Sequence, residues 1–143
     1  MSDLTLDHAR TIIDTALAKG AELGLRPLGV VVLDAGGHPV ALVRQDGSSI
    51  LRTNVAEGKA YGALAMGHGS RFLNAAALER PHFVQALSGI TEGKMVPVPG
   101  GVLIKDQDGR TAGAVGISGD TSDNDEACAV AGIEAAGFVA QVD

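Results

Sequence analysis

Residues 28–43 read LGVVVLDAGGHPVALV, and this stretch decides the fold. Two aliphatic, β-branched runs flank Asp34, Ala35, Gly36, Gly37 and His38, a cluster of turn formers, so 28–33 and 40–43 are predicted to pair as an antiparallel hairpin. Upstream, Leu6, Ala9, Ile13, Ala16 and Leu17 lay one apolar stripe along a first helix. Thr5 or Ser2 is its expected cap, and Gly20 to Gly24 should stop it ahead of Pro27. Downstream, 51–66 carries Ala56, Ala60, Ala63 and Leu64 among good helix formers, which predicts a second helix whose small face lies close to a sheet and which ends at Gly67 and Gly69. Arg80 and Pro81 open a short helical turn to Leu87, and Gly93 to Gly101 reads as a loop. Residues 102–105 and 111–118 flank Asp106 to Gly109 as a second hairpin, and Ser122 with Asp125 resembles a capping box at the start of a last helix running to Gly137. Two hairpins joined into one antiparallel sheet with helices on its faces make an α+β fold, expected as a single domain over residues 1–143.

The bulk composition narrows the function. Apolar residues make up 45% and charged residues 20% of the 143, an ordinary globular balance that disfavours disorder and fibrous repeats. The apolar runs are far shorter than the ~20 residues that cross a bilayer, and the acidic start of the chain does not read as a secretory signal, so a cytoplasmic protein without a membrane partner is expected. The formal charge of -6 comes without a Lys/Arg cluster, which argues against nucleic acid. The lone Cys128 allows no internal disulfide and no thiolate metal cluster.

Four segments carry a family resemblance. Val32 to His38 with Arg44 to Gly47, then Gly58 to Tyr61, then Val96 to Gly101, then Gly113 to Gly119 with Asp125, Glu126 and Ala131 to Ile133 are similar, in that order, to the signatures of the GlcG/HbpS family, which is related to the C-terminal domain of PduO-type proteins. The resemblance implies a profilin-like fold with a central antiparallel sheet of about five strands, assembly into homo-oligomers, and haem or corrinoid association. The chain departs from the family pattern at Asp120, where Gly or Ser is common, and an acidic run follows to Glu126.

Three functions are carried forward from these residues. The first is a small-ligand-binding domain for haem or a related tetrapyrrole. Its candidate cofactor-binding residues are His38, His68, Arg44, Tyr61, Gly100, Gly101 and Asp125, because imidazole ligates iron, guanidinium clamps carboxylates, and glycine exposes backbone N–H groups. Against this, a histidine in a hairpin turn such as His38, or in a loop such as His68, is ordinarily a solvent-facing side chain, and His8 and His82 read as helix-surface residues. The second is an enzyme for a small organic acid or carbonyl compound, with Lys59, Asp120 and Glu126, alongside Asp125, as catalytic acid and base groups in a cavity roofed by the alanine-lined helix. The alternative for Lys59 is a structural ion pair with Asp125 or Glu126. The third is a non-catalytic subunit of an oligomeric assembly. No metal site is expected, since the acidic run lacks calcium-loop spacing and serves equally to cap a helix.

Overall fold

A computed structural model describes residues 3–143, so Ser2, one of the two expected caps, lies outside the described residues. The elements are α1 (Leu6–Leu23), β1 (Gly29–Asp34), β2 (Pro39–Arg44), α2 (Arg52–Met66), α3 (Ser70–Glu79), α4 (Pro81–Ile90), β3 (Gly101–Lys105), β4 (Thr111–Ser118), α5 (Ser122–Ala135) and β5 (Val139–Gln141). The strands form one sheet in the order β2-β1-β4-β3-β5, and every neighbouring pair is antiparallel. Both expected hairpins are present, and the fold is the α+β arrangement with five strands that the resemblance implies.

Alternation along the strands sends side chains to two separate cores. Val30, Val32, Val102, Ile104, Val115 and Ile117 meet α1 and α5 through Ile12, Ile13, Ala16, Cys128 and Ile133. Val31, Leu33, Leu103 and Ala114 meet Ala56, Ala60 and Ala63 of α2 on the opposite face. β1 and β3 read as continuous aliphatic runs because both of their faces are covered. Cys128 is fully buried, and its apolar surroundings push the thiol up to about 11, which makes it inert.

Three local features differ from the sequence expectation. Residues 70–79 form a full helix, α3, and the chain turns at Arg80 directly into α4, which buries only Val84. The three-residue strand β5 adds an edge beyond β3. At the start of α5 the cap is Thr121, not Ser122: its hydroxyl accepts the Asn124 N–H at 3.2 Å, while the Asp125 carboxylate turns inward. Thr121→Ala is therefore expected to cost about 1 kcal/mol in urea unfolding, and Ser122→Ala less than about 0.5 kcal/mol. Equal losses would show that the cap is misassigned.

Candidate functional site

Lys59 stands on the inner face of α2, one turn after Ala56, and is only 2% exposed. Its ammonium donates to the Ile117 carbonyl at 2.8 Å and to Asp125 Oδ2 at 3.1 Å. Asp125, 1% exposed on α5, accepts the Asp120 backbone N–H on its other oxygen at 3.0 Å. One ion pair thus pins α2 to β4 and α5. Burial pulls the Lys59 pKa down and pushes the Asp125 pKa up, and in each case the charge of the partner opposes the effect.

Where a cavity was expected beneath α2, the described residues of the helix lie in contact with the sheet. A methyl group placed on Gly101 would stand 2.1 Å from the Lys59 carbonyl oxygen, and one on Gly100 would stand 2.9 Å from Lys59 Nζ. Gly100 makes room for the lysine side chain and Gly101 for the main chain of α2. The N–H of Gly101 is donated to Ser70 Oγ at 2.7 Å, and Ser70 in turn donates to the Val98 carbonyl at 2.7 Å, so the Pro97 to Gly101 loop is tied to the start of α3.

The acidic run is equally engaged. Asp120 accepts the Asn124 amide at 2.8 Å, the Arg26 backbone N–H at 3.0 Å and the Thr121 N–H at 2.9 Å. These donors, the Asn124 amide first, hold its carboxyl well below the usual carboxylate range. Glu126 takes a two-pronged contact from Arg71, with Nε 3.0 Å from Oε2 and Nη2 3.0 Å from Oε1, and Arg71 also pairs with Asp123. The acid and base groups expected from the sequence therefore come together around α5, each with a protein partner.

The cofactor candidates are dispersed. His38 sits in the β1–β2 turn with its side chain 81% exposed and Nδ1 3.5 Å from Asp34 Oδ1. Asp34 is held below its ordinary range, chiefly by the backbone N–H of His38. Tyr61 lies nearby on α2: a methyl on Gly37 would be 3.6 Å from its ring, and the Lys94 ammonium stands 5.7 Å from the ring centroid. Tyr61, Lys94, Glu57 and Asn54 line a polar cleft of about 310 Å³. His68 is remote from this cleft and stacks on Phe72 with centroids 4.1 Å apart. Arg44 is exposed at the far end of β2, where it borders a larger groove of about 580 Å³. His82 is exposed on α4.

His8 has a structural task that helical periodicity did not disclose. Its Nδ1 accepts the Thr5 backbone N–H at 3.1 Å while its own N–H is donated to Thr5 Oγ1 at 3.1 Å, a reciprocal cap with histidine in the place usually held by glutamate. The signal was the spacing of Thr5 and His8.

Among the described residues no helix is long and apolar enough to cross a membrane. Among solved structures, the chain resembles a crystal structure of a PduOC:haem complex with a TM-score of 0.85 and 25% identity, covering 96% of this chain and 97% of that one. It also resembles a crystal structure of HbpS with a TM-score of 0.80 and 25% identity, covering 94% and 90%. An uncharacterised 15.0 kDa protein from the dhaT-dhaS intergenic region of Citrobacter freundii is 26% identical over 125 residues, 87% of this chain and 86% of that protein. The family model "Haem degrading protein HbpS-like" matches residues 4–134, nearly the whole of both cores and all of the Lys59–Asp125 framework, and the chain belongs to this HbpS-like family.

Proposed function

We propose that this protein binds haem, or a closely related flat tetrapyrrole, at its surface, with His38 as the residue that would hold the iron. The observation that carries the reading is the exposed His38 imidazole with a carboxylate behind it, Nδ1 lying 3.5 Å from Asp34 Oδ1. A proton on Nδ1 facing Asp34 leaves the Nε2 lone pair for iron, the arrangement in which ligating histidines are usually held. The other histidines fit less well. His8 spends its Nδ1 lone pair on Thr5, which puts its proton on Nε2, and His68 lies flat against Phe72. Tyr61 and Lys94 next to the turn offer a flat face and a cation for a propionate. Family membership and the likeness to the PduOC:haem complex support the choice of ligand.

Bound haem would supply an iron centre for redox or dioxygen chemistry; the chain's own part is to ligate, orient and partly shield it. Because His38 stands on an exposed turn, one face of the ring meets solvent or a second copy, and the homo-oligomer implied by the resemblance belongs to this proposal. A reducing cytoplasm belongs to it too, since Cys128 is a free, buried thiol. In this reading Lys59, Asp120, Asp125 and Glu126 hold the framework together, because each charged group is paired within it.

Titration with haemin should give a sharp, saturable Soret band. His38→Ala should broaden it and weaken binding at least about tenfold, as loss of an axial ligand requires, whereas His68→Ala should leave it unchanged. An identical band in His38→Ala would overturn the assignment of the ligand. The absence of any saturable band in the unaltered protein would overturn haem binding itself.

A further inference from the structure

The larger groove, between the end of α1 and the end of β2, is assigned no role by the haem proposal. His38 precedes β2 and Arg44 ends it, so the whole strand separates the two places. The groove has a floor and a rim of different chemistry. Leu17, Leu25 and Val43 form the floor; each packs on the core but remains only half-buried. The rim carries Arg26, Arg44, Gln45 and Asp46.

The rim is poised to donate. Arg44 is exposed and, among the described residues, enters no ion pair. Besides its backbone N–H, Arg26 touches Asp120 through Nε alone, at 3.4 Å, which leaves both terminal guanidinium nitrogens for another acceptor. Gln45 accepts the Leu28 N–H on its amide oxygen at 2.8 Å, which fixes the amide and leaves the two N–H donors of its NH₂ for another acceptor. The Ala21 and Gly20 carbonyls, which belong to residues lining the groove, already accept the N–H groups of Gly24 and Leu25. Arg44 and Arg26 face two carboxylates, Asp46 and Asp120, but Asp120 engages the Arg26 side chain only at Nε, so the rim keeps donors for one negative charge and not for two.

We infer that this groove binds a small monocarboxylate with an aliphatic or flat apolar body, its carboxylate held between Arg44 and Arg26 and its body laid over Leu17, Leu25 and Val43. The volume of about 580 Å³ is within the range of small-molecule sites, roughly 300 to 1,000 Å³. Guanidinium suits the planar carboxylate, and the uncovered aliphatic floor gains by losing water to an apolar body.

Sodium octanoate is the probe, followed by amide chemical shifts of the full chain. Saturable shifts are expected around Leu17, Leu25 and Val43. Arg44→Gln, at an exposed position that does not threaten folding, should weaken binding by about tenfold, the scale set by losing a charge-assisted pair of hydrogen bonds. Octanol should bind at least about tenfold more weakly than octanoate for the same reason. His38→Ala should leave the octanoate shifts intact, which separates this site from the haem proposal. Shifts that do not saturate, that map elsewhere, or that are equal for octanol and octanoate would overturn the inference, as would an Arg44→Gln variant that binds like the parent.

Discussion

Lys59→Met is expected to lower the unfolding free energy at neutral pH by about 3–5 kcal/mol, the range found when one partner of a buried ion pair is removed. The reason is what the substitution leaves behind. Asp125 is 1% exposed, and without the ammonium its carboxylate keeps only the Asp120 N–H as a donor, while the Ile117 carbonyl loses the donor that reached it at 2.8 Å. Met fills most of the vacated stem volume, so the loss reports charge and hydrogen bonding more than cavity formation. Removing both charges, in Lys59→Met/Asp125→Leu, should cost clearly less than Lys59→Met alone, because no orphaned carboxylate remains.

The variant should also acquire a pH dependence of known sign. Burial is the largest influence on Asp125 and raises its pKa from the ordinary 3.8; the Lys59 charge is the main opposing influence, and the substitution deletes it. A folded-state pKa raised above the unfolded one means that the folded chain binds the extra proton. The contribution of Asp125 to the stability of Lys59→Met is therefore fully present below about pH 4 and is lost as pH rises through the raised folded value. Urea midpoints taken from pH 4 to 8 should show this fall in Lys59→Met and not in the double variant. A Lys59→Met protein within about 1 kcal/mol of the parent at pH 7 would mean that the pair does not hold α2, β4 and α5 together.

Parts of this arrangement were legible in the sequence and parts were not, for physical reasons. The hairpins could be read because β-branched runs flank turn-forming residues, and turn chemistry acts over a few residues. The small face of α2 was legible for the same local reason, and so was Asp125 as one of two partners for Lys59. The cavity beneath that helix was a wrong extrapolation: residues small enough to bring α2 to the sheet bring it so close that no space is left. Helix α3 has a local signal in Ala75, Ala76, Ala77 and Leu78, all strong helix formers, but Gly67 and Gly69 just ahead of it offer no side-chain cap to mark its start. Strand β5 had no signal to find. Its three residues are strand only because the edge of β3 offers partners to them. The pairing of Arg71 with Glu126 spans 55 residues and depends on how α3 and α5 are placed, which no local pattern encodes. The histidines illustrate the same limit: their positions could be read, but the Thr5 contact of His8 and the Asp34 contact of His38 depend on backbone geometry.

Gly116→Ala is expected to be the most damaging of the small substitutions, with a loss of at least about 3 kcal/mol and reduced soluble yield, because overpacking against main chain cannot be relieved by a rotamer change. Gly116 is at the centre of the sheet, on β4 between Val31 of β1 and Gly101 of β3. A methyl group there would lie 1.8 Å from the carbonyl oxygen of Ala56, 2.7 Å from its carbonyl carbon and 3.0 Å from the amide nitrogen of Ala60. All three are backbone atoms of α2, so the helix must move away as a body or the strand must bend, and both sheet neighbours of β4 resist bending. Moving α2 outward also carries Lys59 away from Ile117 and Asp125, which couples this loss to the buried ion pair. Ala56→Gly should therefore fail to rescue Gly116→Ala, since it removes the side chain and leaves the clashing carbonyl in place. Gly89→Ala supplies the contrast: nothing lies within 4 Å of the added methyl on α4, and the change should be neutral or stabilising by up to about 1 kcal/mol, as expected from helix propensity. Urea denaturation of the four proteins measures all of this. A Gly116→Ala protein as stable as Gly89→Ala would show that α2 does not lie against the sheet as described, and the Lys59–Asp125 framework would have to be redrawn with it.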